Sequence, residues 1–272
     1  MKYYKSKADA DDTWANAAYI PDADSFLDRW SAEAKAFRKD MSDKGRARLD
    51  QSYGPSDRQA YDLFLPEDPA KGLMVFIHGG YWLRFDKSFW SHFAKGGVDN
   101  GWAVALPSYD LCPAVGIPDI TLQITRMLET VSVQFPDLPV TIAGHSAGGH
   151  LTARMVEKGR FQPELEQRIC RAVPISPVAD LRPLLETSMN DSLQLNEQDA
   201  IAESPVLGGN SLDIPITVWV GGNERPVFLE QAKALADAWH CGLEIAGGKH
   251  HFDVIDALKD ARSSLMKALL GL

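Results

Sequence analysis

The chain has 272 residues, of which 45% are apolar and 24% charged, and its formal net charge is −9. This composition is typical of a globular protein, and the acidic balance disfavours nucleic acid or an anionic membrane surface as a partner. Cys112, Cys170 and Cys241 lie far apart without C-x-x-C spacing, which predicts reduced thiols and no disulfide framework or zinc site.

The N-terminus lacks the apolar core of a signal peptide, and no apolar run approaches the ~18 residues of a membrane span. We therefore expect a cytoplasmic protein. Residues 1–55 are predicted to form a helical N-terminal appendage, because apolar side chains recur three or four residues apart at Phe26, Trp30, Ala34, Phe37 and Met41. We expect this stripe to cover part of the core; the alternative is that it lines one wall of a pocket.

Short apolar runs then alternate with helical patterns. Strands are predicted at Gln59–Leu65, Leu73–Ile77, Trp102–Leu106, Val140–Ala143, Ala172–Ile175 and Ile216–Val220, and helices over 120–131, 228–239 and 255–269. This alternation predicts a mostly parallel sheet with helices on both faces, in one domain spanning 1–272. The excursion at 181–212 is a candidate cap or pocket rim.

The stretch Gly144-His145-Ser146-Ala147-Gly148 directly follows a predicted strand and opens a helical segment. Glycines at both ends of G-x-S-x-G permit a tight strand-to-helix turn, which exposes a strained serine at its tip. A serine hydroxyl becomes a nucleophile when a base lies within hydrogen-bond reach and a third group orients that base. Ser146 is therefore the predicted nucleophile.

A second motif, His78-Gly79-Gly80-Tyr81-Trp82, follows the strand Leu73–Ile77. Glycines in such a loop let backbone N–H groups approach a developing oxyanion. We expect the donors to be the N–H groups of Gly80, Tyr81 and Ala147. Trp82 and His78 are assigned to the substrate pocket, where His78 also braces the oxyanion loop through hydrogen bonds.

The acid and the base are sought after Ser146, because Ser, acid, His is the chain order of this arrangement. Glu224 follows the strand Ile216–Val220, and two adjacent histidines, His250 and His251, precede the last helical pattern. We favour Glu224 and His251. Asp180 is a rival acid one strand too early, and we expect it to cap a turn.

Asp253 is expected to be a helix N-cap. The remaining histidines receive structural interpretations: His145 and His150 flank Ser146 by position alone, and His92 and His240 belong to ordinary helix or loop segments. Neither a metal-binding cluster nor a phosphate-binding loop is present in the sequence, so no metal and no cofactor are predicted.

These motifs together resemble the α/β-hydrolases, and more narrowly the kynurenine formamidase branch related to the HGGG-type esterases. The resemblance covers Gln59 to the C-terminus, and also involves Asp180–Leu184, Ser204-Pro205, Gly221–Phe228 and His251-Phe252. Two positions depart from the family pattern. Glu224 stands where relatives commonly carry Asp, and Tyr81 stands where the wider esterase group has a third Gly.

The resemblance implies an α/β-hydrolase fold and a cofactor-free serine hydrolase acting on a small-molecule ester or amide. From residue size, Tyr81 and Trp82 would narrow the pocket and favour a small acyl group on a flat aromatic leaving group. Three hypotheses follow: an arylformamidase acting on N-formylkynurenine or a similar formanilide, a short-chain carboxylesterase, and a non-catalytic ligand-binding module. A homodimer is compatible with the sequence.

Overall fold

The computed structural model describes residues 2–209 and 211–272. Its described strands form one eight-stranded sheet in the order β1-β2-β4-β3-β5-β6-β7-β8. Strand β2 pairs antiparallel with β1 on one side and with β4 on the other. Each later pair of neighbours in this order, from β4-β3 to β7-β8, is parallel. The bounds of the strands are β1 Ala47–Ser52, β2 Ala60–Phe64, β3 Leu73–Ile77, β4 Ala103–Pro107, β5 Val140–His145, β6 Ile169–Ile175, β7 Thr217–Gly221 and β8 Gly242–Ala246.

Helices cover both faces of this sheet. The α-helices are α1 Lys7–Trp14, α2 Ala23–Asp43, α3 Lys95–Asp99, α4 Ile117–Ser132, α5 Ala147–Met155, α6 Pro163–Glu166, α7 Asn190–Leu193, α8 Glu197–Ala202, α9 Pro205–Gly208, α10 Pro226–Trp239 and α11 Ser264–Leu270. Short 3₁₀ helices lie at Ala17–Tyr19, Lys87–Ala94, Arg182–Glu186 and Val254–Lys259.

Strand β3 shows how the sequence produces two cores. All five of its side chains are buried, and alternate residues point to opposite faces. Leu73, Val75 and Ile77 pack with α4, α5 and α10, whereas Met74 and Phe76 pack with α2, α3 and α11. A strand that is buried on both faces is a near-continuous apolar run. The position of β3 can therefore be predicted from the sequence.

The predicted mostly parallel sheet with helices on both faces is confirmed, and the edge strands β1 and β8 were missed. In β1 half-buried and exposed residues alternate, and β8 is largely exposed. An edge strand is partly exposed to solvent, so it does not need a continuous apolar run. That run is the pattern by which the central strands are predicted, and β1 and β8 lack it. The region predicted as a helical appendage thus also supplies an edge strand.

The single helix predicted over 255–269 is wrong, because the structure has a 3₁₀ helix at Val254–Lys259 and then α11. The side chain of Ser263 causes the new start, since its Oγ accepts a hydrogen bond from the N–H of Met266 at 3.1 Å. The excursion predicted at 181–212 holds three short α-helices, and its residue 210 lies outside the described residues. None of the helices in residues 2–209 and 211–272 combines the length and hydropathy that a membrane span requires.

Candidate active site

Ser146 lies at the sharp turn between β5 and α5, with φ 58° and ψ −117°. A non-glycine residue in this region is strained, by about 1–2 kcal/mol. The turn is possible because Gly148 has no side chain: a Cβ there would lie 2.0 Å from the carbonyl oxygen of Ile77. The motif therefore brings α5 against β3 and leaves the serine side chain on a cavity.

The carboxylate of Glu224 lies beyond the end of β7 and is fully engaged. Its Oε2 accepts a hydrogen bond from Nδ1 of His251 at 2.5 Å. Its Oε1 accepts from the hydroxyl of Ser176 at 2.5 Å and from the N–H of Gly221 at 2.7 Å. Three donors fix the carboxylate, which in turn fixes the imidazole tautomer with its proton on Nδ1 and leaves Nε2 as the free base.

The ring of His251 is also held from two sides. The ring of Phe228 lies 4.3 Å away between centroids, and the ring of His145 lies 4.5 Å away. Burial first, and then the neighbouring His251, lower the pKa of His145 well below its ordinary value. His145 is therefore neutral and imposes no charge repulsion when His251 takes up a proton.

Ser146 and His251 line the same cavity, whose volume is about 570 Å³. Within the described residues, neither is hydrogen-bonded to the other. In ligand-free serine hydrolases the hydrogen bond between serine and histidine is often long or poorly aligned, and it tightens when substrate binds.

The oxyanion loop passes close to Ser146. A Cβ on Gly79 would lie 3.0 Å from the Cβ of Ser146, so glycine allows this approach. Tyr81 follows with φ 54°, and in the described residues its N–H has no acceptor. Ala147 is the first residue of α5, where N–H groups have no intrahelical acceptor. Gly80 also lines the cavity. Gly80 and Tyr81 therefore line the same cavity as Ser146, and Ala147 follows Ser146 in the chain.

His78 and Trp82 are not where the sequence placed them, because neither lines the cavity. Both are buried beneath the oxyanion loop, and Trp82 packs edge-on against His150 at 5.1 Å. His78 does brace the loop: its Nδ1 donates to the carbonyl of Gly79 at 2.7 Å, and its ring stacks on Tyr109 at 4.4 Å. Burial lowers the pKa of His78 to about 4. A large aromatic side chain after a strand predicts a pocket wall, but Trp82 packs into the core instead.

The alternatives considered for the acid and base lie elsewhere. Asp180 accepts from the N–H of Arg182 at 3.0 Å and pairs with its guanidinium at 2.7 Å, as expected for a turn. His250 accepts from the N–H of Phe252 at 3.1 Å. Asp253 precedes a 3₁₀ helix, but its carboxylate accepts from the N–H of His250 instead of capping that helix.

Sequence reasoning missed one part of this site and ranked another second. Ser176 carries no motif, and its position after β6 is the one signal that points to it. The N-terminal segment lines the cavity with residues that include Trp14, Asn16, Leu27 and Trp30, which is the alternative interpretation of its amphipathic stripe. The amphipathic stripe showed a buried face, but not which surface the segment would meet. In the described part of the chain, no cluster of His, Cys, Asp or Glu is arranged to bind a metal.

The parallel sheet, the serine turn and the acid and histidine loops after β7 and β8 together define an α/β-hydrolase. A family model described as alpha/beta hydrolase fold matches residues 74–240. The chain belongs to this family, and it is a hydrolase.

Among its relatives is a kynurenine formamidase of Danio rerio, 30% identical over 82% of this chain and 80% of that protein. A protein from Silicibacter sp. tm1040, provisionally described as a thioesterase, has a crystal structure that is 52% identical. It superposes with a TM-score of 0.92 and covers 96% of this chain and 98% of the other. Esterase B of Lactobacillus rhamnosis, 20% identical with a TM-score of 0.66 over 91% and 94% of the two chains, shares the fold.

Proposed function

We propose that the chain is a serine hydrolase in which Ser146 is the nucleophile, His251 the general base and Glu224 the orienting acid. The observation that carries the proposal is the 2.5 Å hydrogen bond from His251 Nδ1 to Glu224, made on the cavity that the strained Ser146 lines. An imidazole held in this tautomer has its basic nitrogen available to a serine hydroxyl.

In the proposed reaction, Ser146 Oγ attacks the substrate carbonyl carbon while His251 Nε2 takes the hydroxyl proton. The carbonyl oxygen becomes an anion, which accepts hydrogen bonds from the N–H groups of Tyr81, Ala147 and Gly80. His251 then gives its proton to the departing amine or alcohol, which leaves an acyl-enzyme ester. Water attacks that ester by the same steps, and acid and free enzyme result.

The lining of the cavity favours a substrate with a flat aromatic leaving group. Six aromatic side chains border it: Trp14, Trp30, Tyr81, Phe85, Trp90 and Phe252. Aromatic rings stabilise a planar ligand through burial and edge or face contacts. Together with the relatives named as kynurenine formamidases, this supports an aryl formamide of the N-formylkynurenine type as the substrate.

A second substrate class rests on a different observation. The relative at 52% identity is provisionally described as a thioesterase, so a short-acyl ester or thioester is the alternative. The proposed catalytic residues are the same for the amide, the ester and the thioester, because attack on the carbonyl and protonation of the leaving atom do not change.

The test compares N-formylkynurenine, p-nitrophenyl acetate and an acetyl thioester, each with the wild type and with Ser146→Ala. We expect kcat/KM above about 10⁴ M⁻¹s⁻¹ for N-formylkynurenine and its loss in the variant. Turnover of the acetate or the thioester alone would retain the serine mechanism and move the substrate to the second class. Undiminished turnover by Ser146→Ala would contradict the mechanism, and no turnover of any substrate would favour the ligand-binding module.

A further inference from the structure

The backbone of the oxyanion loop adopts an unfavourable conformation at two successive residues. Tyr81 has φ 54° and Trp82 has φ 57°, in the region that side-chain-bearing residues avoid. The N–H groups of Leu83 and Arg84 both bond to the carbonyl of Gly80, at 3.0 and 3.2 Å, which closes the loop after these two residues. Both bonds are accepted by the carbonyl of Gly80, which lies in the same peptide plane as the N–H of Tyr81, so they hold this plane at its carbonyl side. The other end of the plane is the Cα of Tyr81, which has the unfavourable φ and carries the phenol side chain.

The phenol of Tyr81 is tied to the N-terminal segment by two hydrogen bonds. Its hydroxyl donates to the carbonyl of Trp14 at 2.6 Å, and its oxygen accepts from Nδ2 of Asn16 at 2.9 Å. The carbonyl can only accept, so it takes the single hydroxyl proton. Burial raises the pKa of Tyr81 above its ordinary range, so that proton stays in place.

This order of donors also fixes the amide of Asn16. Because the hydroxyl proton is already given to Trp14, Tyr81 can bond to Asn16 only if the NH₂ group of the amide faces it. The opposite atom, Oδ1, is then left buried without a hydrogen-bond partner among the described residues. A buried acceptor without a partner is unfavourable. The orientation of Asn16 is therefore imposed by Tyr81 and not by its own surroundings.

The N-terminal segment is itself anchored to the loops around the cavity. The guanidinium of Arg225, next to Glu224, donates to the carbonyl of Asp12 at 3.0 Å. The N–H of Ser188 donates to the carboxylate of Asp11 at 2.6 Å. These contacts, made two and three residues before Trp14, give Tyr81 a fixed attachment point.

We propose that Asn16 and the main-chain carbonyl of Trp14 are positioning groups for catalysis, which hold Tyr81 so that its N–H faces the developing oxyanion. The proposal rests on the serine mechanism above. Asn16 does not touch the reacting atoms; it acts through the phenol of Tyr81. At Trp14 and Asn16, the N-terminal segment thereby positions a residue of the oxyanion loop in addition to covering the core.

The first test is Tyr81→Phe, which keeps the ring and the backbone N–H but removes the hydroxyl. Loss of a whole oxyanion donor lowers kcat about 10²- to 10³-fold, so misplacing one should lower it about 10- to 100-fold. KM should stay within about threefold, because a donor aimed at the transition state contributes little to ground-state binding. Tyr19→Phe removes another hydroxyl of the same segment, which bonds Asp12, and should leave kcat and KM unchanged.

The second test compares Asn16→Ala with Asn16→Asp. Aspartate matches the shape of asparagine, but its carboxylate has no donor for the Tyr81 oxygen. We therefore expect kcat to fall in the order wild type, Asn16→Ala, Asn16→Asp. A residue needed only for packing would give the reverse order for the two variants. The double variant Asn16→Ala with Tyr81→Phe should be no worse than Tyr81→Phe alone, because both remove the same bond.

Wild-type kcat in Tyr81→Phe, an Asn16→Asp variant as active as Asn16→Ala or more so, or additive losses in the double variant would each overturn the proposal. If thermal unfolding shows that Tyr81→Phe does not fold, the comparison of the two Asn16 variants decides. Ser146→Ala is measured alongside. Its inactivity together with normal Tyr81→Phe would defeat this inference alone, whereas its full activity would defeat the serine mechanism itself.

Discussion

The cavity has two linings that differ in how the chain encodes them. The sheet-edge lining comprises Gly80, Tyr81, residues 83–85, Trp90, His145, Ser146, His251 and Phe252, and the N-terminal lining comprises residues between 11 and 30; Ser188 and Met189 also border the cavity. The sheet-edge lining is built from loops that follow strands, where glycines and short motifs set the backbone. The N-terminal lining is one amphipathic segment laid across those loops. We infer that the sheet-edge lining determines the chemistry. The N-terminal lining then determines the fit of the substrate and the alignment of Tyr81.

The largest contrast is expected between two glutamates, one behind each lining. Glu224→Gln keeps the shape but can present its NH₂ to His251 and so favour the wrong tautomer. We expect kcat to fall about 10³- to 10⁴-fold with little change in KM. Glu186→Gln is the matched change beside the N-terminal segment, where this carboxylate accepts from the N–H groups of Tyr3 and Tyr4. Steady-state kinetics of Glu186→Gln should show less than about a threefold change in kcat. Equal losses of kcat in the two variants would contradict the assignment of the chemistry to the sheet-edge lining.

Two serines provide a smaller contrast of the same kind. Ser176→Ala removes a hydroxyl that donates to Glu224, which should loosen the carboxylate and lower kcat about tenfold. Ser188→Ala removes a hydroxyl that donates to Asp11 at 2.5 Å, and its kcat should stay within about twofold of the wild type. A Ser176 variant with wild-type kcat would show that two donors suffice to hold Glu224.

The N-terminal lining should respond in KM. Leu27 lies on α2 and lines the cavity half-buried, so Leu27→Ala removes apolar contact with the leaving group. We expect KM for an aromatic substrate to rise about 3- to 10-fold, with kcat within about twofold. Leu122→Ala, on an exposed position of α4, is the control. A loss in kcat with unchanged KM would assign Leu27 to the chemistry instead.

The smallest expected effect is on the free energy of unfolding, and it appears only when the pH is lowered. Burial lowers the pKa of His78 and of His150 to about 4, and of His92 to about 3. Below an unfolded pKa of about 6.5, the unfolded chain binds protons that the folded chain does not, so stability falls as the pH falls towards 4. Urea unfolding at pH 7 and pH 5 should show a loss of up to about 1–2 kcal/mol per histidine.

His92→Phe separates this effect from general acid sensitivity. Neither ring nitrogen of His92 has a hydrogen-bond partner in the described residues, although the carboxylate of Glu33 lies 3.6 Å from Nε2. Phenylalanine therefore removes the titration without removing a hydrogen bond. The variant should lose less stability between pH 7 and pH 5 than the wild type does. An unchanged pH dependence would show that His92 is not held neutral.

The two linings also differ in how much of each can be predicted from the sequence. Strand β3 is apolar throughout, and β5 is apolar at Val140, Ile142 and Ala143, because both faces are covered. The serine turn needs glycines at fixed spacing, so these features can be predicted from the local sequence. The edge strands β1 and β8 need neither feature. The contact of Asn16 with Tyr81 joins residues 65 positions apart, and no local pattern encodes a bond of that span. Ser176 likewise reaches Glu224 only because β6 and β7 are neighbours in the sheet.

The inward turn of Trp82 illustrates the remaining gap. Its sequence neighbourhood is that of the loop, but its positive φ directs the indole into the core, where it meets His150. A backbone angle of this kind is set by the packing of the whole loop. Residue type and spacing therefore predict which loop supplies the proposed oxyanion donors, but not which of its side chains line the cavity.

The central claim is that Ser146 is the nucleophile of the sheet-edge lining. Treatment with a fluorophosphonate ester, followed by peptide mass spectrometry, tests it most directly, because the reagent forms a covalent bond with an activated serine. We predict one adduct per chain, on Ser146, and loss of activity in proportion to labelling. Labelling of another serine, such as Ser176 or Ser188, or full activity after Ser146 is labelled, would contradict the account.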